Sequence, residues 1–152
     1  MQRSRIHLAM AVLSLCIMAC EPQVRPIDYG QDACDYCRMS IVEDHYGSEL
    51  LTTKGKAYKF DSIECLAAFV LKERVPPKLV YGLYFTDVEQ AGILVAREGL
   101  HFVQAKKLKS PMGLNLSAYA SAETAASVAE LYFGSVMSWG EVLQFVESAW
   151  LK

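Results

Sequence analysis

Two cysteines and one methionine lie within six residues, from Cys34 through Cys37 to Met39. Thiolate and thioether sulfurs are soft ligands, and soft ligands select ions such as Cu(I). Cys37 and Met39 are two residues apart, so an extended backbone would turn both sulfurs to the same side. The sequence therefore predicts a Cu(I) site, with Cu(I) as the bound ion, at this stretch.

The Cys34–Cys37 pair also has other interpretations. A zinc ribbon needs a second pair of ligands at similar spacing, and the sequence contains none. Haem attachment needs a histidine directly after the second cysteine, where Arg38 stands. A thiol–disulfide oxidoreductase that uses Cys34 and Cys37 is the alternative function, although such pairs open a helix and no clear helix follows here. A structural disulfide without a ligand is the third interpretation.

Three further candidate ligands lie elsewhere in the chain. Met112 stands in a loop between turn residues, where it could close over the ion from the second half of the chain. Cys65 is predicted in the first turn of a helix, and helix N-termini stabilise thiolates. His45 is the histidine nearest to the sulfur-rich stretch. Each also has an ordinary interpretation, as a loop methionine, a buried cysteine and a surface histidine.

The first 19 residues have the pattern of a targeting segment. Two arginines precede an apolar run at residues 8–18, which is too short to span a bilayer and has the length of a signal-peptide core. The small residue before Cys20 resembles a bacterial lipobox, which predicts an acylated Cys20 and a periplasmic protein anchored to a membrane. Glu21 follows Cys20 in place of the aspartate that often retains lipoproteins in the inner membrane, so the outer membrane is slightly favoured.

Composition limits the other functions. The chain has 152 residues, 53% of them apolar, which allows one domain or two very small ones sharing a core. Its 15 basic and 17 acidic residues nearly balance, so no nucleic-acid partner is expected. No acid/base carboxylate pair, phosphate loop or nucleophile elbow appears, and we expect a protein that is not an enzyme.

The remaining pattern predicts an α+β fold of two small related ββαβ units with an additional C-terminal helix. In the first half, strands are expected at 49–53, 56–60 and 79–85, and a helix at 62–72 with a capping box from Asp61 to Glu64. In the second half, strands are expected at 93–96, 101–104 and 116–119, and helices at 122–133 and 139–150. We expect a lipoprotein signal peptide at 1–19, a flexible tether at 20–33, and the two units at 34–90 and 91–152.

Several separate stretches together resemble one family. They are the lipobox, the Cys37-x-Met39-x-Ile41 motif, the segment 52–61 with Cys65 shortly after it, and the loop 111–113. Together they resemble the nitrous-oxide-reductase accessory lipoproteins of denitrification, the NosL family. The resemblance covers about residue 32 to the C-terminus.

The resemblance implies a fold, a metal and partners. The family fold is two ββαβ units, and its members bind Cu(I) as metallochaperones. They are thought to pass copper towards periplasmic nitrous oxide reductase with the help of an ATP-binding-cassette (ABC) membrane complex. By position, Cys37, Met39 and Met112 match the family's ligand motifs, and Cys34 matches a position that is often cysteine. Arg38 departs from the usual glycine.

Overall fold

The first antiparallel sheet and its helix come from the first half of the chain. A computed structural model describes residues 21–152. Its first sheet has the strand order β2-β1-β3-β4. The elements in chain order are β1 (Ser48–Thr52), β2 (Ala57–Phe60), α1 (Ile63–Leu71), β3 (Val80–Thr86) and β4 (Leu94–Ala96). Short 3-10 turns at Pro77–Leu79 and Arg97–Gly99 precede β3 and follow β4.

The second sheet repeats the arrangement with fewer strands. Its strand order is β6-β5-β7, and both strand pairs are antiparallel. The elements are β5 (His101–Gln104), β6 (Leu116–Tyr119), α2 (Ala122–Leu131), β7 (Ser135–Met137) and α3 (Trp139–Val146), and a wider turn at Glu147–Leu151 continues α3. The structure therefore confirms the predicted α+β fold with its additional C-terminal helix. Strand β4 pairs with β3 rather than with β5, so the chain crosses between sheets at Arg97–Gly99.

One core joins the two sheets. Phe85 from β3 and Phe102 from β5 are both buried, with ring centroids 5.1 Å apart in an edge-to-face arrangement. Trp139 at the beginning of α3 lies 5.1 Å from Phe85 and 5.6 Å from Phe102. Aromatic side chains of this size bury more area than any other residue type, so this cluster fixes how the two sheets pack.

Helix ends differ in part from those expected. The side chain of Ser62, rather than Asp61, caps α1 by accepting a hydrogen bond from the Cys65 N–H at 3.2 Å. The predicted Asp61–Glu64 capping box is therefore wrong, and the Asp61 carboxylate is free for other contacts. A capping box does form at the beginning of α3, between Ser138 and Glu141.

Helix α2 ends before Gly134, and the residue just before this glycine takes the left-handed conformation. That residue is Phe133, with φ at 53°. Gly134 is needed for space instead, because a Cβ on it would lie 2.4 Å from the carbonyl oxygen of Gln104. A side chain there would push α2 away from β5.

The segment before β1 lies against the first sheet. The Arg25 N–H donates to the Glu49 carboxylate at 3.1 Å, and Lys59 Nζ donates to the Pro26 carbonyl at 2.8 Å. Ile27 is buried in the main core. This contact reaches well into the stretch that the sequence assigned to the tether. Within residues 21–152 no helix has both the length and the apolar character to cross a membrane.

Candidate metal centre

A tight loop of residues 33–40 presents the sulfur-rich stretch. Two backbone hydrogen bonds close it, from the Cys34 N–H to the Met39 carbonyl at 2.8 Å and from the Arg38 N–H to the Cys34 carbonyl at 3.0 Å. Asp35 attaches the loop to β2, since its N–H donates to the Lys59 carbonyl and its carboxylate accepts from the Lys59 N–H. The backbone between Cys37 and Met39 is not extended, because Arg38 has a φ of 70°, so the condition for both sulfurs to face the same side along a strand is not met.

The loop brings two cysteines against the beginning of α1. The sulfurs of Cys34, Cys37 and Cys65 and a carboxylate oxygen of Asp61 all lie within 4.8 Å of one another. None of the three cysteines forms a disulfide. A group this compact can place several ligands around one ion without rearranging the backbone.

The group has a buried side and an accessible side. Cys34 and Cys65 are fully buried, whereas Cys37 is only partly buried. The Cys37 thiol donates to the Asp61 carboxylate at 3.5 Å, and the other Asp61 oxygen is buried without a hydrogen-bond partner in the described part of the chain. A buried carboxylate oxygen without a donor is costly, and a bound ion or a water molecule would satisfy it.

Hydrogen bonding makes the three thiols unequal. Because Cys65 donates its thiol proton to the Cys34 sulfur, the pKa of Cys34 is lowered to about 6. The same hydrogen bond raises the pKa of Cys65. Burial raises the pKa of Cys37 to about 11. The thiol with the lowered pKa is therefore that of Cys34, at the buried side of the group.

This division disfavours thiol–disulfide exchange. An attacking thiol in such an enzyme must be both ionised and accessible. Here the sulfur with the lowered pKa, on Cys34, is fully buried, and the accessible sulfur of Cys37 has a raised pKa. A soft metal ion needs no such access to a large substrate, and a compact group of thiols suits it.

Met39 lies at the mouth of the site. Its side chain is 50% exposed, and it lines a cavity of about 250 Å³ together with Asp61 and Pro111. This cavity joins the sulfur loop to the loop that carries Met112. Met39 and Asp61, which belongs to the thiol group, therefore face the same cavity.

Met112 is held near this cavity by a buried hydrogen bond. Ser110 donates to the Glu64 carboxylate in the first turn of α1 and accepts from the Asn115 N–H at 2.9 Å. Met112 itself is partly buried and packs against the main core. Because Glu64 lies in so apolar a setting, burial raises the pKa of its carboxyl. The Ser110–Glu64 contact thus ties the second half of the chain to the helix that carries Cys65.

Two predicted site residues do not join the group. His45 donates a hydrogen bond through Nδ1 to the Val88 carbonyl, 2.8 Å away, and its Nε2 lies 3.7 Å from Asp44. Cys20, the predicted lipidation site, is outside the described residues. Conversely, Asp61 was assigned to a helix cap and not to the site, although it ends the motif 52–61 that carried the family resemblance.

The fold and this group of side chains define a small α+β protein with a sulfur-rich group that could hold a metal ion. The chain belongs to the NosL family, whose family model matches residues 27–146. Membership confirms the family resemblance and the prediction of a protein that is not an enzyme.

A solved structure has a similar fold. It is the crystal structure of the copper chaperone NosL from Shewanella denitrificans, with 23% sequence identity and a TM-score of 0.68. The match covers 79% of this chain and 95% of that one. No curated protein matches the chain.

Proposed function

We propose that this protein is a periplasmic, lipid-anchored metallochaperone that carries Cu(I) to a copper-accepting enzyme, nitrous oxide reductase. The observation that carries the proposal is the group of three thiols around Asp61, with Met39 on the cavity that Asp61 lines, in a member of the NosL family. The similar fold of a NosL copper chaperone supports the same conclusion.

The donor set is the reason for choosing Cu(I). Three thiol sulfurs and a thioether are soft ligands, which suit Cu(I) better than a hard cation such as Mg²⁺ or Ca²⁺. The carboxylate of Asp61 is a harder ligand. We assign it a positioning role: it accepts a hydrogen bond from the Cys37 thiol and thereby orients that thiol. The proposed ligands are Cys34, Cys37, Cys65 and Met39, with Met112 closing over the ion.

The two sides of the site suit a carrier. Buried sulfurs of Cys34 and Cys65 would retain the ion, while the exposed Met39 is the ligand that an incoming sulfur can replace first. Cu(I) accepts two or three sulfur ligands, so a partner's ligand can bind before the last ligand of the carrier leaves. A fully enclosed site would bind copper but would not release it to a protein.

The anchor and the further partners rest on the sequence. A lipobox before Cys20 supports acylation and attachment to a membrane, with the outer membrane slightly favoured. The family resemblance supports nitrous oxide reductase as recipient and an ABC membrane complex as assistant. Another copper-accepting periplasmic protein as recipient would leave the chemistry of the site unchanged.

The proposal is tested by titrating the reduced, anaerobic protein with Cu(I) against a chromophoric chelator. We expect about one Cu(I) per chain, bound tightly enough to outcompete the chelator. The double variant Cys37→Ser, Met39→Leu should lose this competition, because two of the four proposed sulfurs are gone. The matched control Met137→Leu changes a methionine on β7 and should bind as the native protein does. Unchanged affinity in the double variant would contradict the assignment.

A further inference from the structure

A groove with a positively charged rim borders the sulfur loop and is separate from the cavity that Met39 lines. It has a volume of about 490 Å³ and is lined by residues of the loop and of the α1 C-terminal end: Asp35, Tyr36, Arg38, Phe69, Lys72 and Arg74. We call it the cationic groove. Arg38 follows Cys37 directly in the chain, so the cationic groove and the partly buried Cys37 thiol belong to the same loop.

The charges of the cationic groove are poorly neutralised. Its three cations face one carboxylate, that of Asp35, which lies 3.7 Å from the Arg38 guanidinium. The Arg38 side chain is 76% exposed in this ion pair. Among the ion pairs of residues 21–152, none involves Lys72 or Arg74. The groove is thus a local positive region on a chain whose formal net charge is −2.

Arg38 holds its place at a conformational cost. Its φ of 70° lies in the left-handed region, which is strained for a residue with a Cβ and unstrained for glycine. A single exposed ion pair such as Arg38–Asp35 stabilises the fold too little to offset this strain. The folded state therefore gains little from an arginine here, and backbone strain of this kind is concentrated at functional sites.

The floor of the cationic groove is aromatic and fixed. The Tyr36 ring stacks on Trp150 at a centroid distance of 6.4 Å and an angle of 8°. Lys72 Nζ lies 5.2 Å from the centroid of Tyr36. Phe69 packs edge-on against Phe60 at 5.0 Å. Arginine and tyrosine on a rigid support are the residues that dominate protein–protein interfaces.

We propose that the cationic groove is the docking site for an acidic segment of the protein that receives the copper. Carboxylates of that segment would pair with Arg38, Lys72 and Arg74, and docking would bring the recipient's ligands next to Cys37. The role of the partner as copper recipient rests on the proposed function. Favourable interaction with the α1 dipole would account for Lys72 at the helix C-cap, but it does not account for Arg38, which lies on a different element.

The test uses the purified full-length protein in neutral detergent, free of copper. The probe is a fluorescent polyglutamate peptide, compared with a polyglutamine peptide at low and high salt. The groove variant combines Arg38→Gly, Lys72→Gln and Arg74→Gln, and the first of these changes also removes the backbone strain. The control variant removes the same charge from exposed lysines outside the groove: Lys54→Gln, Lys106→Gln and Lys109→Gln. A second groove variant, Lys72→Gln with Arg74→Gln, leaves residues 34–39 unaltered.

We expect the native protein to bind polyglutamate more tightly than polyglutamine, with binding weakened by salt. Affinity should fall about tenfold in the groove variant, and by less than about twofold in the control variant. Equal loss in both variants, or no preference for polyglutamate, would overturn the proposal. Groove-dependent binding of phosphatidylglycerol vesicles or of inorganic phosphate in place of the peptide would also overturn it.

Because the protein is copper-free, this result is independent of the copper titration. A protein that binds the acidic peptide through the groove but does not bind Cu(I) would contradict the proposed function alone. A protein that binds Cu(I) but shows no groove-dependent peptide binding would contradict the docking proposal alone.

Discussion

The two ββαβ units share a pattern but not a degree of burial. In the first unit, α1 buries seven of its nine residues, because a four-stranded sheet covers one face and α3 packs on another. In the second unit, α2 buries only Ala125 and Ala129, and its far side faces solvent. The same supersecondary motif is thus a core element in one place and a surface layer in the other.

The more deeply buried unit is the one that carries the group of cysteines and Asp61. The first unit carries Cys65 and Asp61 at the beginning of α1 and supports the loop with Cys34 and Cys37, so its elements must hold four atoms within 4.8 Å. The second unit supplies no ligand to this group and contributes the loop with Met112 through the Ser110–Glu64 contact. A buried helix is a rigid support for ligands, whereas an exposed helix can vary without moving them.

The largest predicted effect is a difference in unfolding free energy between leucine-to-alanine variants in α1 and in α2. Leu66 in α1 is fully buried, and Leu66→Ala should lower the free energy of unfolding by about 2–5 kcal/mol. Leu131 at the end of α2 is 66% exposed, and Leu131→Ala should change it by less than about 0.5 kcal/mol. Urea denaturation of both variants measures the difference. Similar losses in the two variants would mean that α2 is buried in solution, for instance by a partner.

The second predicted effect is a pH dependence of stability that arises from a buried carboxyl in the first unit. Glu49 on the central strand β1 is fully buried, and burial raises the pKa of its carboxyl to about 7. The unfolded chain ionises this group near its ordinary value, so the unfolded state binds fewer protons than the folded state between about pH 4.5 and 7. Stability should therefore fall as pH rises through this window and stay level above it.

Glu49→Gln removes the titrating group and tests this effect. Relative to the variant, the native protein should lose about 1–3 kcal/mol of unfolding free energy between about pH 4.5 and 8. Chemical denaturation of the two proteins at both pH values provides the measurement. Parallel pH profiles would show that Glu49 ionises normally and that another group is responsible for any slope.

The smallest effect should distinguish the two helix caps. Ser62 caps α1 while fully buried, and Ser121 caps α2 by accepting from the Thr124 N–H at 3.1 Å while partly exposed. Replacing each by alanine should cost about 2 kcal/mol at Ser62 and about 1 kcal/mol or less at Ser121, where water can replace the lost oxygen. Thermal unfolding compares them. An equal or larger cost at Ser121 would contradict the burial difference between the units.

Local patterns predicted most of the elements. The strands at 101–104 and 116–119 have the predicted bounds, and the other four predicted strands and α1 differ by one residue at their ends. Strand β7 was not predicted. Alternating apolar residues, turn glycines and capping serines are local signals, because each depends only on residues a few positions apart in sequence. The strand order was not predicted, because pairing of β4 with β3 depends on how the two sheets pack.

The site was predicted as a set of residue types and not as a geometry. Cys34 and Cys65 are 31 positions apart in sequence, and only the folded first unit brings their sulfurs together. Asp61 was missed because a carboxylate before a helix is normally its cap, a role that Ser62 takes here. The left-handed Arg38 could not be expected from propensity, since an arginine at positive φ costs free energy.

X-ray absorption at the copper edge of the Cu(I)-loaded protein tests the central claim most directly. The account predicts a first shell of sulfur atoms, with one sulfur fewer in Met39→Leu and in Cys65→Ser, because both residues are proposed to hold the ion together with Cys34 and Cys37. A shell dominated by nitrogen or oxygen, or a sulfur shell that neither variant changes, would contradict a Cu(I) site at this group.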